Sequence, residues 1–400
     1  MSNLNETPSS ERIHIGFFGM RNAGKSSLVN AVCGQGLSVV SDTPGTTTDA
    51  VRKSMELLPL GPVVIIDTPG LDDSGELGEL RVKAAKRVLA TVDIAVLVSS
   101  AKFGLCKDER MLIESFKESK IPYIVVYNKC DVEKNTERCG EDALFVSAKG
   151  GLGIEEFKSA LGKLMPDTTK EMPLIGDLIK PSDTVVLVTP IDTAAPKGRL
   201  ILPQQQVLRG ILDAGAIGIV TRETEYADVL YKLGTRPNLV ITDSQVFKKV
   251  SEETPDDIPL TSFSILMARY KGFLEMAVRG AEKIRDLQNG DTVLIAEGCT
   301  HHRQCGDIAT VKIPALLKKF TGSRITIKTS SGRDFPDDLS EFSLVIHCGG
   351  CMLTSRDVLS RMKICEAEGI PVTNFGTALA YMNGILERTT EMIPELKKTL

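Results

Sequence analysis

Gly19-Met-Arg-Asn-Ala-Gly24-Lys25-Ser26 stands between the apolar run IHIGFF and a helical pattern that opens at Lys25. A loop of this kind belongs where a buried strand ends and a helix begins, because its glycines let backbone N–H groups wrap phosphate oxygens at the helix N-terminus. Gly19, Asn22, Gly24, Lys25, Ser26 and Ser27 are therefore the phosphate-side candidates, with Lys25 reaching the β and γ phosphates and the Ser26 hydroxyl on Mg2+. Around this loop the β-branched runs PVVIID, IAVLV, YIVVYN and ALFVS alternate with helical KSSLVNAV, ELRVKAAKRVLATV and GIEEFKSALGKLM. That alternation predicts a mostly parallel α/β sheet over about the first 165 residues.

Three further segments fall at strand ends. Asp67-Thr-Pro-Gly70 puts a carboxylate within reach of a Mg2+ water and a glycine N–H within reach of a γ phosphate. Asn128-Lys129-Cys130-Asp131 ends YIVVY, and the Asp131 carboxylate can accept both the N1–H and the amino hydrogen of guanine. Adenine lacks those donors and would leave a buried acceptor unpaired, so the pattern selects GTP over ATP. Ser147-Ala148-Lys149 follows ALFV, where a backbone N–H can meet the guanine carbonyl. With these residues in order, the first part of the chain resembles translation-factor-type GTPases, and more closely the subgroup with the tRNA-modification and ribosome-assembly GTPases. Thr43-Pro-Gly-Thr-Thr-Thr-Asp49 resembles the first switch of that subgroup. The resemblance implies Thr47, ahead of Thr46 and Thr48, as the threonine that closes on Mg2+, and makes Lys25, Thr47, Asp67 and Gly70 the catalytic set. Asn22 resembles the asparagine that holds K+ in cation-activated members. Leu71 stands where many GTPases carry a water-orienting glutamine, so a K+ at Asn22 would offset transition-state charge in place of an arginine finger. Asp72 and Asp73 are the nearest alternative water-positioning groups.

The chain has 400 residues, 42% of them hydrophobic and 25% charged, enough for two to three packed domains. A linker is expected over 169–182, separating a GTPase domain at 1–168 from a small α/β domain at 183–262 and a third α/β unit at 263–400. The expected fold class is thus α/β, a P-loop GTPase domain followed by two smaller α/β domains. VVLVTP, IGIVT and NLVIT predict strands in the second unit, and TVLIAEG, RITIKT and LVIHCGG in the third; the intervening SILMARYKGFLEMAVRGAEKIRDL reads as helix. No internal repeat is evident. The formal net charge is -4, and residues 271–400 hold 17 Lys and Arg against 16 Asp and Glu, which disfavours a dedicated nucleic-acid binder. The polar start and the absence of an uncharged apolar stretch of about 18 residues predict a cytoplasmic protein with no membrane partner.

Three of the four histidines, His301, His302 and His347, lie beside cysteines in the third unit. Cys299-Thr-His301 follows TVLIAEG, and His347-Cys348-Gly-Gly-Cys351 follows LVI, so both segments leave the carboxyl ends of strands, where parallel sheets place ligands. Cys299, His301, Cys305, His347, Cys348 and Cys351 are more groups than one zinc needs. Spacing alone leaves zinc, an iron–sulfur cluster, a redox dithiol and buried thiols open. A GTPase domain joined to C-x-H and then H-C-x-x-C resembles the FeFe-hydrogenase maturation GTPases, as do the stretch TPIDTAAPKGRLILPQQQVLRGIL and Asp243-Ser-Gln. The resemblance covers essentially the whole chain. It implies a 4Fe-4S cluster on Cys299, Cys348 and Cys351, with His301, His347 or Asp192 as candidate fourth ligand. It further implies a homodimer through the middle domain, and a scaffold that receives a two-iron precursor made with two radical-SAM maturases and delivers it to apo FeFe-hydrogenase. An RNA-linked or ribosome-assembly GTPase with a structural zinc site is the alternative.

Overall fold

The computed structural model describes residues 7–34, 51–68, 85, 87–132, 134–139, 143–164, 172–191, 200–299, 307–332 and 334–398. The switch threonines Thr46 to Thr48, then Gly70 to Asp73, Asp192, His301, His302 and Cys305 lie outside the described residues. The chain divides into two compact units, 1–170 and 171–400. Among the described residues no helix is long and apolar enough to cross a membrane.

The first unit is built on a six-stranded sheet of β1 (Ile13–Phe18), β2 (Val51–Leu57), β3 (Gly61–Asp67), β4 (Ile94–Ser100), β5 (Tyr123–Asn128) and β6 (Leu144–Phe145), in the order β2-β3-β1-β4-β5-β6. Every pairing is parallel except β2 with β3. The central strands β1, β3 and β4 are continuous apolar runs because helices cover both faces of the sheet. β2 was not foreseen from the sequence. Its VRKSMEL is half polar and only partly buried, as suits an edge strand.

The second unit contains two four-stranded, all-parallel sheets. The first holds β7 (Thr184–Val188), β8 (Ile217–Thr221), β9 (Leu239–Thr242) and β10 (Leu260–Ser262), in the order β10-β9-β7-β8. The other holds β11 (Thr292–Ala296), β12 (Thr326–Ser330), β13 (Leu344–His347) and β14 (Val372–Asn374), in the order β12-β11-β13-β14. Read from its first strand, each sheet has the same topology, with the second strand on one side and the third and fourth on the other. The likeness extends to single bonds. The amide of Lys180 meets Asp183 Oδ2 at 2.8 Å before β7, and that of Gln288 meets Asp291 Oδ2 at 2.7 Å before β11. The intervening Ser182 and Gly290 both have positive φ, 69° and 96°.

After the fourth strand each copy enters a helix, Phe263–Tyr270 or Phe375–Met382, capped by the side chain of Ser262 or Asn374. Each helix then stops at a glycine with positive φ, Gly272 (82°) or Gly384 (72°). The unit is therefore an internal repeat, contrary to the sequence reading. The repeat is also present in the residues: Pro259, Thr261, Phe263, Ala268, Gly272, Leu274 and Glu275 recur as Pro371, Thr373, Phe375, Ala380, Gly384, Leu386 and Glu387. A cluster of buried side chains runs through both copies, including Val186, Val240, Ile265 and Ala268 with Leu294, Val345 and Ile393.

Two other sequence expectations change. The single helix anticipated over SILMARYKGFLEMAVRGAEKIRDL is broken at Gly272 into Phe263–Tyr270 and Leu274–Glu282, followed by a 3-10 turn. The described part of the expected linker, from residue 172 onward, is packed rather than extended, with Ile175 fully buried against Val185, Leu187 and Phe263. Arg269, 3% exposed, fixes this segment by bonding the Pro173 carbonyl and both Asp177 and Glu395 carboxylates. Ile175 and Ile179 are the apolar positions that mark the segment as packed; the surrounding charges hid them.

Gly280 of the helix Leu274–Glu282 lies so close to β14 that a Cβ there would fall inside the Val372 carbonyl. Gly280→Ala gains about 1 kcal/mol of helix propensity yet forces backbone apart, so a net loss of about 1–3 kcal/mol is expected. Urea unfolding of the variant against the native chain measures it.

Candidate GTPase site and cysteine centre

Three loops at the carboxyl edge of the first sheet converge on the phosphate loop. Gly19, Asn22 and Gly24 have positive φ, and an added Cβ on Gly19 or Gly24 would strike the Val98 carbonyl or the Asn128 amide. Lys25 is 6% exposed, its Nζ donating to the carbonyls of Gly19 and Met20 at 3.0 Å each. Asn128 ties the parts together. Its Nδ2 donates to the Ala23 carbonyl at 3.0 Å, while its Oδ1 accepts the Ala148 amide at 3.0 Å. Lys129, in the left-handed region at φ 67°, reaches back to the Asn22 carbonyl at 2.6 Å. Asp131 accepts from the Ser147 hydroxyl, which holds its carboxyl below the usual carboxylate range and keeps it ionised to receive guanine donors. Ser147 Oγ also takes the Gly150 amide at 2.9 Å, fixing the Ser147-Ala148-Lys149 turn.

The Mg2+ side is equally well formed. Ser26 Oγ donates to Asp67 Oδ2 at 2.5 Å, and Asp67 Oδ1 is buried with no hydrogen-bond partner among the described residues. Burial raises the Asp67 carboxyl above its ordinary value, against the smaller opposing influences of Ser26 and Lys25. A cation bound between the two oxygens would satisfy the orphan atom and return the charge, so the donor set fits Mg2+. Thr68 Oγ1 bonds the Phe17 carbonyl at 2.6 Å and locks the end of β3 to β1.

In the second unit Ala296 at the end of β11 pairs with His347 at the end of β13. The chains that leave these points carry Cys299 and Cys348-Gly-Gly-Cys351 into one space. Cys348 Sγ accepts the Gly298 amide at 3.0 Å and the Gly350 amide at 3.3 Å. Gly350 turns at φ 68°, and Gly349 packs against Met267 of the helix Phe263–Tyr270. Burial raises the thiols of Cys299 and Cys348, and pushes that of Cys351 up to about 12. The Cys348 charge also raises Cys351, and each of the two raises Cys299. Three thiols that resist ionisation together are stabilised as thiolates by a shared cation, which is what iron or zinc supplies. No disulfide joins the eight described cysteines, and no ready metal cage is assembled among the described residues.

His347 is no open ligand in this arrangement. It is fully buried, with Nδ1 donating to the Cys348 carbonyl at 2.7 Å and Nε2 accepting from Arg361 Nη1 at 3.1 Å. Its ring meets Phe273 edge-on. With both nitrogens engaged in this arrangement, the His347 ring braces the cysteine loop. Glu297, Lys271 and Arg361, all less than 7% exposed around the thiols, were not singled out from the sequence. The repeat gives the missing signal for Lys271, which precedes Gly272 where Asn383 precedes Gly384.

Burial first, and then the Arg361 charge, lower His347 to about 4. Its folded value lies below the unfolded one of about 6.5, so the unfolded chain binds the extra proton between them. The contribution is complete above pH 6.5 and is lost as pH falls toward 4. Unfolding midpoints across that window should therefore drop less steeply for His347→Gln than for the native chain.

Three family models match in tandem: a 50S ribosome-binding GTPase over 14–129, the hydrogen maturase F dimerization domain over 174–272 and the hydrogen maturase F tetramerization domain over 275–392. The last two adjoin between 272 and 275, so that each covers most of one copy of the repeat. The first unit is 37% identical over 153 residues to the tRNA modification GTPase MnmE of Legionella pneumophila (strain Corby), covering 37% of this chain and 33% of that protein. It is 33% identical over 165 residues to GTPase Era of Carboxydothermus hydrogenoformans, covering 38% of this chain and 55% of that one. The chain thus spans about a third to a half of these relatives. A crystal structure of Aquifex aeolicus Era aligns with 19% identity over 55% of this chain and 98% of that one, with a TM-score of 0.33. A GTPase domain followed by both hydrogen maturase F domains, each matching one copy of the repeat, places the chain in the hydrogen maturase F family.

Proposed function

We propose that the protein is a GTP-hydrolysing scaffold and carrier in hydrogenase maturation. In this reading it binds a 4Fe-4S cluster on Cys299, Cys348 and Cys351, receives a two-iron precursor assembled with radical-SAM maturases, and delivers that precursor to apo FeFe-hydrogenase. The observation that carries the reading is the meeting of three cysteines at the ends of β11 and β13, with two backbone amides already directed at Cys348 Sγ. A cluster held by three thiolates supplies one iron site with an exchangeable ligand. His301, Asp192 and, after movement of its ring, His347 are the candidates for that position. The chain's own residues do the rest: Gly298 and Gly350 donate to sulfur, and Arg361 holds the His347 ring that braces the loop.

In the GTPase unit Lys25 would move from the Gly19 and Met20 carbonyls onto the phosphates. Ser26, Asp67 and Thr47 would hold Mg2+, and Asp131 with the Ala148 region would read guanine. Gly70 would sense the γ phosphate, so that the nucleotide state orders the switches and alters partner binding. Self-association fits the first repeat. Its outer strand β8 is an unpaired edge with Ile217 53% and Val220 43% exposed, while the equivalent edge strand β12 is polar and carries the Lys328–Glu341 ion pair. Apolar side chains along an open edge support pairing between copies through the middle domain. The RNA-linked reading rests on the GTPase unit alone, where the likeness to RNA-modifying relatives ends.

Iron and sulfide analysis with EPR of the reduced, anaerobically prepared chain should give a 4Fe-4S signal that disappears in Cys348→Ser. Stoichiometric zinc with no iron after reconstitution would sink the cluster reading. Lys25→Ala should abolish GTP hydrolysis and keep the iron. If Asn22 holds K+, hydrolysis in KCl should exceed that in NaCl several-fold; equal rates would remove K+ from the mechanism.

A further inference from the structure

Lys271 is an unusual residue to bury. It is 2% exposed at the end of the helix Phe263–Tyr270, and this helix belongs to the first repeat while its end leans on the cysteine loop of the second. Lys271 Nζ donates to the Leu353 carbonyl at 2.8 Å. Leu353 closes a turn onto the Gly350 carbonyl at 3.0 Å, and Cys351 lies inside that turn. The same leucine packs beneath Gly298, whose added Cβ would meet both Leu353 and Cys348 Sγ. One ammonium therefore pins the turn from Gly350 to Leu353, with Cys351 inside it, from across the repeat boundary.

The charges around the three thiols are unevenly arranged. Lys271 and Arg361 stand on the side of the C-x-x-C turn, held by the Leu353 carbonyl and the His347 ring, whereas Glu297 acts on Cys348 as well as Cys299 and Asp307 acts on Cys299. The cationic side is the side of the C-x-x-C turn. A buried ammonium is costly unless negative charge lies near it, and thiolates committed to iron provide that charge in a way neutral thiols do not.

We propose that Lys271 is a positioning residue for the cysteine centre: it fixes the Cys351 turn through the Leu353 carbonyl and places an ammonium beside the thiolates, raising the reduction potential of the cluster they hold. The inference rests on the 4Fe-4S reading of Cys299, Cys348 and Cys351. Net charge and nearby hydrogen bonds are among the factors that set cluster potentials. The equivalent position in the other copy is the neutral Asn383, so the charge is particular to the helix that faces the cysteines.

The test is an EPR-monitored redox titration and iron analysis of reconstituted full-length protein, comparing native, Lys271→Gln and Lys271→Arg. Glutamine keeps an N–H donor for Leu353 without the charge, and arginine keeps the charge. The proposal expects Lys271→Gln to titrate at a more negative potential, with Lys271→Arg near the native value. Iron loss confined to Lys271→Gln, in a chain that still melts cooperatively, would support the same charge requirement. Equal potentials in native and Lys271→Gln, or iron lost equally from both variants, would overturn the proposal while leaving the cluster reading intact. A native protein without iron would overturn both.

Discussion

Parallel pairing of β11 with β13 is the constraint on which the second unit's chemistry depends. Because Ala296 stands opposite His347, the two chains leave the sheet side by side and in the same direction. Cys299 and Cys348 then follow neighbouring strand ends, and the amide of Gly298 falls on Cys348 Sγ. A shift of one residue in this register would turn the side chains of one strand to the opposite face and separate the thiols. The apolar strings of both strands, buried over most of their length, hold that register.

The GTPase unit follows the same principle of strand ends supplying function, but its loops are cross-linked by a side chain. Asn128 bonds the phosphate loop with one end of its amide and the Ser147-Ala148-Lys149 turn with the other. Phosphate and base recognition are thereby tied to a single buried residue, 2% exposed at the end of β5. Asp67, in contrast, is left with a buried oxygen unsatisfied beside the Ser26 hydroxyl, which a bound cation would satisfy.

Much of this was legible in the sequence because it is local. The motif residues carry their chemistry in their order, and the strands they follow are continuous apolar runs such as Ile94–Ser100. What escaped was short or polar: β2, whose edge position leaves it half exposed, and β10 and β14, three residues each. The repeat escaped too, because its matching residues are spread through segments with different functions, and only Pro-x-Thr-x-Phe marks them plainly. His347 stood as one candidate fourth ligand from its neighbours in sequence, whereas its bond to Arg361, fourteen positions along, was not legible there.

The capped helices of the two copies also cross-serve. The helix Phe263–Tyr270 lies under the loop of the second copy, and Asn374 and Gly376 of the second copy's helix bond Ser264 of the first. Each half thus lends a wall to the other, as in a dimer whose two subunits have been joined end to end. Because the halves are fused in one chain, one outer strand has an apolar edge while the other copy carries cysteines, a division of labour closed to two identical chains. The same fusion makes the cysteine centre a shared property: a fragment beginning at Leu274 would contain every described cysteine of the centre and yet lack the floor beneath it.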